Sequence, residues 1–378
     1  MVMPKLRFKE FDVDWKSVQL DSVVTFRKGK GISKADISED GENLCIRYGE
    51  LYTTYGQVIN RVISKTNISK TDSVLSTAGD VIIPASGETQ IDIATASCVL
   101  QSDIILSGDL NILSHSENGE WLAYYLSSAK KLEIAQLAQG NSVVHLYSSQ
   151  LKDLKINKPP KEEQTKIASF LSAVDEKMSQ LTQKHELLSQ YKQGMMQKLF
   201  SQQIRFKADD GSEFGEWEDL KFRDVITIKY GKDHKALKEG SIPVLGTGGV
   251  MRYVDSYLYD GESILIGRKG TIDKPQFICG KFWTVDTLFY TEIGERLIPK
   301  FAYQQLLLVN WLNLNEATGV PSLNTTSIGN VEVKVPCLEE QTKISNFLSA
   351  IDQKIEVVAQ QIEQAKQWKK GLLQQMFV

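Results

Sequence analysis

Basic, amide and hydroxyl residues gather in short glycine-punctuated runs along this chain of 378 residues. In the first half the runs are Arg27-Lys28-Gly29-Lys30, Arg47-Tyr48-Gly49-Glu50-Leu51-Tyr52 and Ser86-Gly87-Glu88-Thr89-Gln90. In the second they are Lys232-Asp233-His234-Lys235, Gly246-Thr247-Gly248-Gly249, Arg268-Lys269-Gly270-Thr271 and Ser322-Leu323-Asn324-Thr325-Thr326. The chemistry open to such residues is hydrogen bonding to a nucleic acid. Arg pairs bidentately with guanine, Asn and Gln with adenine, and Ser, Thr and Lys with phosphates. Taken singly, each run reads as a solvated turn. Together, with glycines that let the backbone approach a ligand, they give a contact set of Arg27, Lys28, Lys30, Arg47, Tyr48, Ser86 and Gln90 in the first half. The second half supplies Lys232, His234, Lys235, Thr247, Arg268, Lys269, Ser322, Asn324 and Thr325.

Other chemistry is missing from the sequence. The four histidines, His115, His145, His185 and His234, stand apart from one another and from the four cysteines, so no metal set has ligand spacing. No run matches a phosphate-binding loop or a dinucleotide fingerprint, and no nucleophile elbow stands out. The pattern is that of a binder, not an enzyme. A formal net charge of −3 means that any DNA contact rests on local basic edges rather than on a global field. Cys45, Cys98, Cys279 and Cys337 lack CxxC spacing, and there is neither an 18-residue apolar stretch nor the apolar core of a signal peptide. The expectation is a reduced, cytoplasmic protein without a membrane span.

The elements that must position these runs are set by an internal repeat. Glu162–Phe200 returns as Glu339–Phe377 at a constant offset of 177 residues, with 19 of 39 positions identical. Leu6-Arg7-Phe8-Lys9 recurs as Ile204-Arg205-Phe206-Lys207, followed by Trp15 and Trp217. Apolar runs ending in Gly29-Lys30 and Gly231-Lys232 come next, and Pro159 and Pro336 precede the long repeats. Between these flanks the halves diverge, as expected of one scaffold that carries two different readers.

Each long repeat has the seam of a coiled coil. A 4,3 alternation selects Ile167, Leu171, Val174, Met178, Leu181, His185, Leu188, Lys192, Met195 and Leu199, of which eight of ten are apolar. The second set is Ile344, Leu348, Ile351, Ile355, Val358, Ile362, Ala365, Lys369, Leu372 and Met376, nine of ten apolar. Helices of this length span roughly 58 Å. Paired glutamates at each start suit the positive end of the helix dipole, and Gly194 and Gly371 mark places for a kink or fraying. His185 is expected to set register. The seam allows either direction, and antiparallel pairing is expected because it places a domain at each end.

The remaining segments read as mixed α/β. Strands are expected near Leu44–Tyr48, Val81–Pro84, Ile104–Leu106, Ile264–Gly267 and Leu288–Thr291, with helices over Glu120–Leu137 and Pro299–Leu314. The helices' aromatic and leucine stripes read as core that docks each domain on its scaffold. The domain plan is 1–158, a helical spacer 159–203, 204–335, and a second spacer helix 336–378.

Two features resemble the specificity subunit of type I restriction-modification systems. One is the doubled helix start, with Glu162-Glu163-Gln164, Ile167 and Phe170-Leu171. The other is the strand-and-loop run Tyr259-Asp260-Gly261-Glu262-Ser263-Ile264-Leu265-Ile266-Gly267-Arg268. The resemblance covers essentially the whole chain. It implies an α+β fold in which two α/β target-recognition domains are separated by a long antiparallel two-helix coiled coil with pseudo-two-fold repeat. It also implies double-stranded DNA as ligand, each domain reading half of a bipartite, asymmetric target. Two DNA adenine methyltransferase subunits and up to two restriction (translocase) subunits would be the partners. S-adenosylmethionine would then belong to the methyltransferase, ATP and Mg to the restriction subunit, and no cofactor to this chain. The turn at Arg268-Lys269 ranks first for DNA contact, whereas the equivalent Pro84-Ala85-Ser86-Gly87-Glu88 has no basic residue. The family's Gly-to-Leu run is close to Gly319–Leu323 and two residues longer over Gly140–Leu146. A recognition module of another restriction-methylation enzyme, or a coiled-coil scaffold that binds only proteins, are the other readings.

Overall fold

The computed structural model describes residues 3–140 and 143–377. It divides into two compact units, one made of the residues up to Thr182 with those from Gln360 onward, the other of Gln183–Ala359.

In the first unit, Lys16–Gln19 pairs antiparallel with Lys155–Lys158, bringing the beginning of the domain to its end. The main sheet has the order Val24–Lys28, Leu110–His115, Val81–Pro84, Ser97–Val99, Val58–Ile59. Strand Val81–Pro84 shows why an unbroken apolar run is needed here. Val81 and Ile83 face a core containing Trp121, Leu122 and Tyr125, while Ile82 faces a second core with Ile46, Leu106 and Ile112. Alternating side chains are thus buried on both faces.

The second unit repeats the frame. Glu218–Lys221 pairs with Glu332–Val335, and a sheet runs in the order Ile226–Tyr230, Leu288–Ile293, Ser263–Gly267, Gln276–Ile278. Ile264 and Ile266 face the core of Phe301 and Trp311, and Leu265 faces Phe282 and Tyr290. A further sheet, with order Gly249–Val254, Glu239–Gly246, Lys281–Thr284, Tyr259–Asp260, contains a parallel pair, as does the first unit's three-stranded sheet of Lys65–Thr66, Asn43–Ile46 and Ile105–Leu106.

Both domain helices are shorter than their periodicity suggests. The first splits into Gly119–Ser128 and Lys131–Leu137, with Lys130 at the break turning its ammonium onto Glu133 at 2.7 Å. The second ends at Leu306, whose carbonyl accepts the indole N–H of Trp311 at 3.0 Å, and only a 3-10 turn follows at Trp311–Leu314. The same carbonyl accepts Val309 N–H at 3.3 Å, so the helix end is closed by one backbone and one side-chain donor.

The long helices run Lys161–Phe200 and Leu338–Met376 and pass through Gly194 and Gly371 without interruption. In the first unit, Ile167, Leu171 and Val174 share a core with Leu372 and Met376. In the second, Met196 and Leu199 share one with Ile344, Leu348 and Ile351. The opening turns of one helix thus meet the closing turns of the other in each unit, which makes the pairing antiparallel. Leu181 and Val358 are buried, and Met178, Leu188, Ile355 and Ile362 half-buried. The seam is not wholly apolar. Lys369 bonds Asp175 at 2.5 Å in the first unit, and Lys192 bonds Asp352 at 2.6 Å in the second.

Each long helix is tied to its own domain by a buried knot. Glu163 is fully buried and accepts from Arg7 Nε (2.7 Å), Arg7 Nη2 (2.8 Å) and the Trp15 indole (3.3 Å). Glu340 does the same with Arg205 (3.1 and 2.8 Å) and Trp217 (3.0 Å). Glu162 and Glu339 remain exposed at the helix start, so the dipole reading fits only the first glutamate of each pair. Gln164 and Gln341 are buried beside them. Gln164 donates to Pro159 O and accepts from Asn118 N–H, and Gln341 donates to Pro336 O and accepts from Ile298 N–H. The Arg, the Trp and the second Glu and Gln of the repeated framing are therefore folding residues.

Candidate nucleic-acid interface

In the second unit, the buried strand Ser263–Gly267 ends where a Cβ on Gly267 would stand 2.1 Å from Thr271 O, so only glycine fits there. The turn that follows is stapled from two sides. Arg268 and Lys269 N–H groups donate to Thr287 O (2.8 and 3.3 Å), and Leu323 N–H donates to Arg268 O (3.0 Å). Gly270 N–H bonds Pro321 O at 2.9 Å, and Lys269 bridges to Ser322. The Arg268 guanidinium lies 5.5 Å from the centre of the half-exposed Tyr230 ring and donates to Asp286 O at 3.2 Å. Lys269 projects into solvent.

Gly231 brings the second loop alongside. Its Cβ would lie 2.0 Å from Val285 O, and Lys232 N–H bonds Thr284 O at 2.8 Å. Beyond it, Asp233 accepts from Lys235 N–H at 3.0 Å, a backbone bond that holds its carboxyl below the usual range. Gln276 fastens the hairpin turn through Gly246 O and Thr247 O at 3.2 and 3.4 Å. The result is a cavity of about 590 Å³ lined by His234, Lys235, Thr247, Met251, Asp286 and Thr287 among others. His234 Nδ1 is buried there without a hydrogen-bond partner. The fold thus gathers the loops carrying Lys232, His234, Lys235, Thr247, Arg268, Lys269 and Ser322. Asn324 is spent on structure, capping Ser327 N–H at 2.7 Å and donating to Glu316, and Thr325 lies in the first turn of the helix so capped.

The first unit builds the same turn with other side chains. Ala85 N–H bonds Asp109 O at 2.9 Å, and Leu146 N–H bonds Ala85 O at 3.0 Å. Ala85 therefore stands where Arg268 stands, and Ser86, buried and paired with His145, where Lys269 stands. Leu146 takes the place of Leu323. Asn141 and Ser142, within the longer Gly140–Leu146 run, lie outside the described residues. Ser86 Oγ and His145 Nδ1 are 3.2 Å apart, and the imidazole stacks on the exposed Tyr147 at 6.2 Å between centroids. Gln90 is exposed nearby, its amide donating to Ala138 O at 3.4 Å. Lys28 and Lys30 are exposed around Gly29, where a Cβ would stand 1.8 Å from Ser107 O.

Three candidates of the first half are committed inward. Arg27 donates to Asp80 (2.6 Å), Ser114 (3.0 Å) and Leu75 O (3.2 Å). Arg47 pairs with the buried Glu50 at 3.1 Å. Tyr48 packs against the core around Ile46. The corresponding omissions are His145, Tyr147, Tyr230 and Asp286. Nothing in the sequence joins His145 to Ser86, which lies 59 residues away.

Burial pushes the Cys45 thiol up to about 11 and that of Cys98 up to about 12, so neither supplies a thiolate at neutral pH. Among the described residues, no group of three or more His, Cys, Asp or Glu could hold a metal ion, and no helix is long and apolar enough to cross a membrane.

A family model described as "Type I restriction modification DNA specificity domain" matches twice, over residues 12–189 and 215–367. The chain belongs to this family. Its two specificity domains correspond to the two halves of the internal repeat. The chain is similar to the type I restriction enzyme MjaVIII specificity subunit of Methanocaldococcus jannaschii, being 24% identical over 411 residues that cover 95% of this chain and 91% of that one. The crystal structure of a type I restriction-modification S subunit from M. genitalium has the same fold, with a TM-score of 0.71 at 18% identity and coverage of 100% and 99%. A structure concerned with complex assembly and conformational transition of the type I system matches at TM-score 0.56 and 16% identity, over 96% and 97% of the two chains.

Proposed function

We propose that this chain is the sequence-reading subunit of a type I restriction-modification complex, each unit reading one half of a bipartite, asymmetric DNA site. The observation that carries this reading is the turn shared by both units. The backbone stapling is the same, but Arg268-Lys269 on one side is replaced by Ala85-Ser86 with His145 and Tyr147 on the other. One frame bearing two surfaces is what an asymmetric target requires. Arg268, beside an aromatic ring and a glycine turn, is suited to a guanine edge, and the exposed Lys28, Lys30, Lys232, Lys235 and Lys269 to phosphates.

In this reading the chain is not itself catalytic. Two methyltransferase subunits would bring S-adenosylmethionine and modify adenine, and up to two restriction subunits would bring ATP and Mg. The four unpaired cysteines support a place in the cytoplasm. The test is to purify the chain with and without its methyltransferase partner, add S-adenosylmethionine, and sequence the methylated sites. The complex should methylate a split motif and the isolated chain nothing. Methyl transfer by the rigorously purified chain, or an unsplit motif from the complex, would overturn the proposal.

A further inference from the structure

One carboxylate in each unit joins three helices. In the first unit, Asp175 on the long helix accepts the Tyr124 hydroxyl at 2.7 Å, while its other oxygen takes Lys369 Nζ of the partner helix at 2.5 Å. Tyr124 belongs to the domain helix Gly119–Ser128 and is 1% exposed. Lys369 also lies over the Tyr124 ring, 5.4 Å from its centre, and donates to Gln57 Oε1 at 3.2 Å. In the second unit, Asp352 accepts Gln304 Nε2 at 3.0 Å and takes Lys192 Nζ at 2.6 Å. Asp175 and Asp352 occupy the same position of the 177-residue repeat, as do Lys192 and Lys369.

The domain-side arms correspond too. Tyr124 comes six residues after Asn118, whose N–H is held by Gln164, and Gln304 six after Ile298, whose N–H is held by Gln341. The first arm is a phenol and the second an amide, while the carboxylate and the ammonium are unchanged. Buried apolar contacts hold a helix onto a sheet or a rod but tolerate sliding and rotation, since they are non-directional. A charge-assisted hydrogen bond at a single carboxylate does not.

Taking the proposed function as its basis, we infer that Asp175 and Asp352 are positioning residues that lock each reading domain's rotation on the helix pair, and so set how strictly the complex measures the gap between half-sites. Tyr124 and Gln304 are the arms by which each domain reaches that carboxylate, in addition to the knots at Glu163 and Glu340. Neither arm touches the stapled turns, so they act on spacing and not on base choice.

The test uses the complex with its methyltransferase partner and a library of sites whose half-sites are fixed and whose spacer varies by single base pairs. Tyr124→Phe removes only the hydroxyl, and Gln304→Leu only the amide. The double variant should methylate with unchanged half-site sequences. Its discrimination against spacers one base pair too long or too short should fall about tenfold, equivalent to about 1.4 kcal/mol. Exchanging Asp175→Lys together with Lys369→Asp keeps the inter-helix pair and should retain more discrimination than Asp175→Ala. Unchanged spacer discrimination in a double variant that still methylates would overturn the inference, as would a change in half-site sequence. Failure of the wild-type complex to methylate any split site would instead overturn the proposed function, so the two failures are distinguishable.

Discussion

Arg7 closes on Glu163 through two hydrogen bonds, at 2.7 and 2.8 Å, across 156 residues of chain. The carboxylate is fully buried and the guanidinium nearly so. A buried pair of this kind adds little over an apolar replacement, but removing one partner strands the other charge. Arg7→Ala should therefore cost about 3–5 kcal/mol, seen as a lower denaturation midpoint, and Arg205→Ala should do the same to the second unit through Glu340. Arg7→Ala combined with Glu163→Leu should recover part of the loss. A single variant as stable as the wild type would mean that the knot is not holding the helix to its domain.

Arg268 is the residue best placed to separate base reading from backbone binding. Its guanidinium is oriented by the Tyr230 ring and by Asp286 O rather than by a carboxylate. Arg268→Ala in the assembled complex should weaken DNA binding by about 1–3 kcal/mol and relax the preference at one base pair. Lys269→Ala should weaken all sequences alike and lower the salt dependence by about one counterion. Binding titrations at several salt concentrations, with a library for the motif, check both. Unchanged affinity and motif for Arg268→Ala would return it to an ordinary turn.

The first unit should also have an acid-sensitive core position. Both ring nitrogens of His115 are buried without hydrogen-bond partners, and burial lowers its pKa, although Asp80 and Glu117 pull the other way. The unfolded chain takes up the proton near pH 6.5 and the folded one resists it, so stability is fully present above about 6.5 and declines as pH falls below it. Glu117 behaves separately. Burial raises its pKa, but hydrogen bonds from Lys158 and Gln164 outweigh that and hold it low, so its contribution is lost only below the ordinary carboxylate range. His115→Leu should flatten the stability profile between about pH 7 and 5, leaving the more acidic loss in place. Urea midpoints across that range decide it, and a parallel decline in the variant would assign the sensitivity elsewhere.

The sequence reveals the frame much better than it reveals the contacts. A constant offset makes Arg7, Trp15 and Glu163 visible as recurring residues, because both copies must solve the same folding problem. It does not say that they meet. A 4,3 seam alone is satisfied by either direction; the antiparallel one is expected because it places a domain at each end, and only in it does Asp175 find Lys369. Among the loops, Arg27, Arg47 and Arg268 look alike on paper, each a basic residue close to a glycine. What distinguishes them is the carboxylate that folding brings up, Asp80 from 53 residues away for Arg27 and the buried Glu50 for Arg47. His145 and Tyr147 show the opposite case, because the partner that gives them a place, Ser86, lies on a different strand.

The last prediction concerns the helices as a measure of DNA. Each passes from one unit to the other, between Thr182 and Gln183 and between Ala359 and Gln360. An insertion after Gln180 with a matching one after Val357 therefore lengthens the chain between the two reading domains. Seven residues in each keep the seam in phase and add about 10 Å. At about 3.4 Å per base pair, the preferred spacer should lengthen by about three base pairs, with both half-sites unchanged. Two residues in each would instead turn the seam by about 200°. Keeping either Lys369 on Asp175 or Lys192 on Asp352 would then turn the other pair apart and its apolar neighbours toward solvent, so assembly should be lost rather than the spacer shifted. Sequencing the methylated sites of the heptad variant decides the matter. An unchanged spacer with full activity would mean that the helices do not measure the gap.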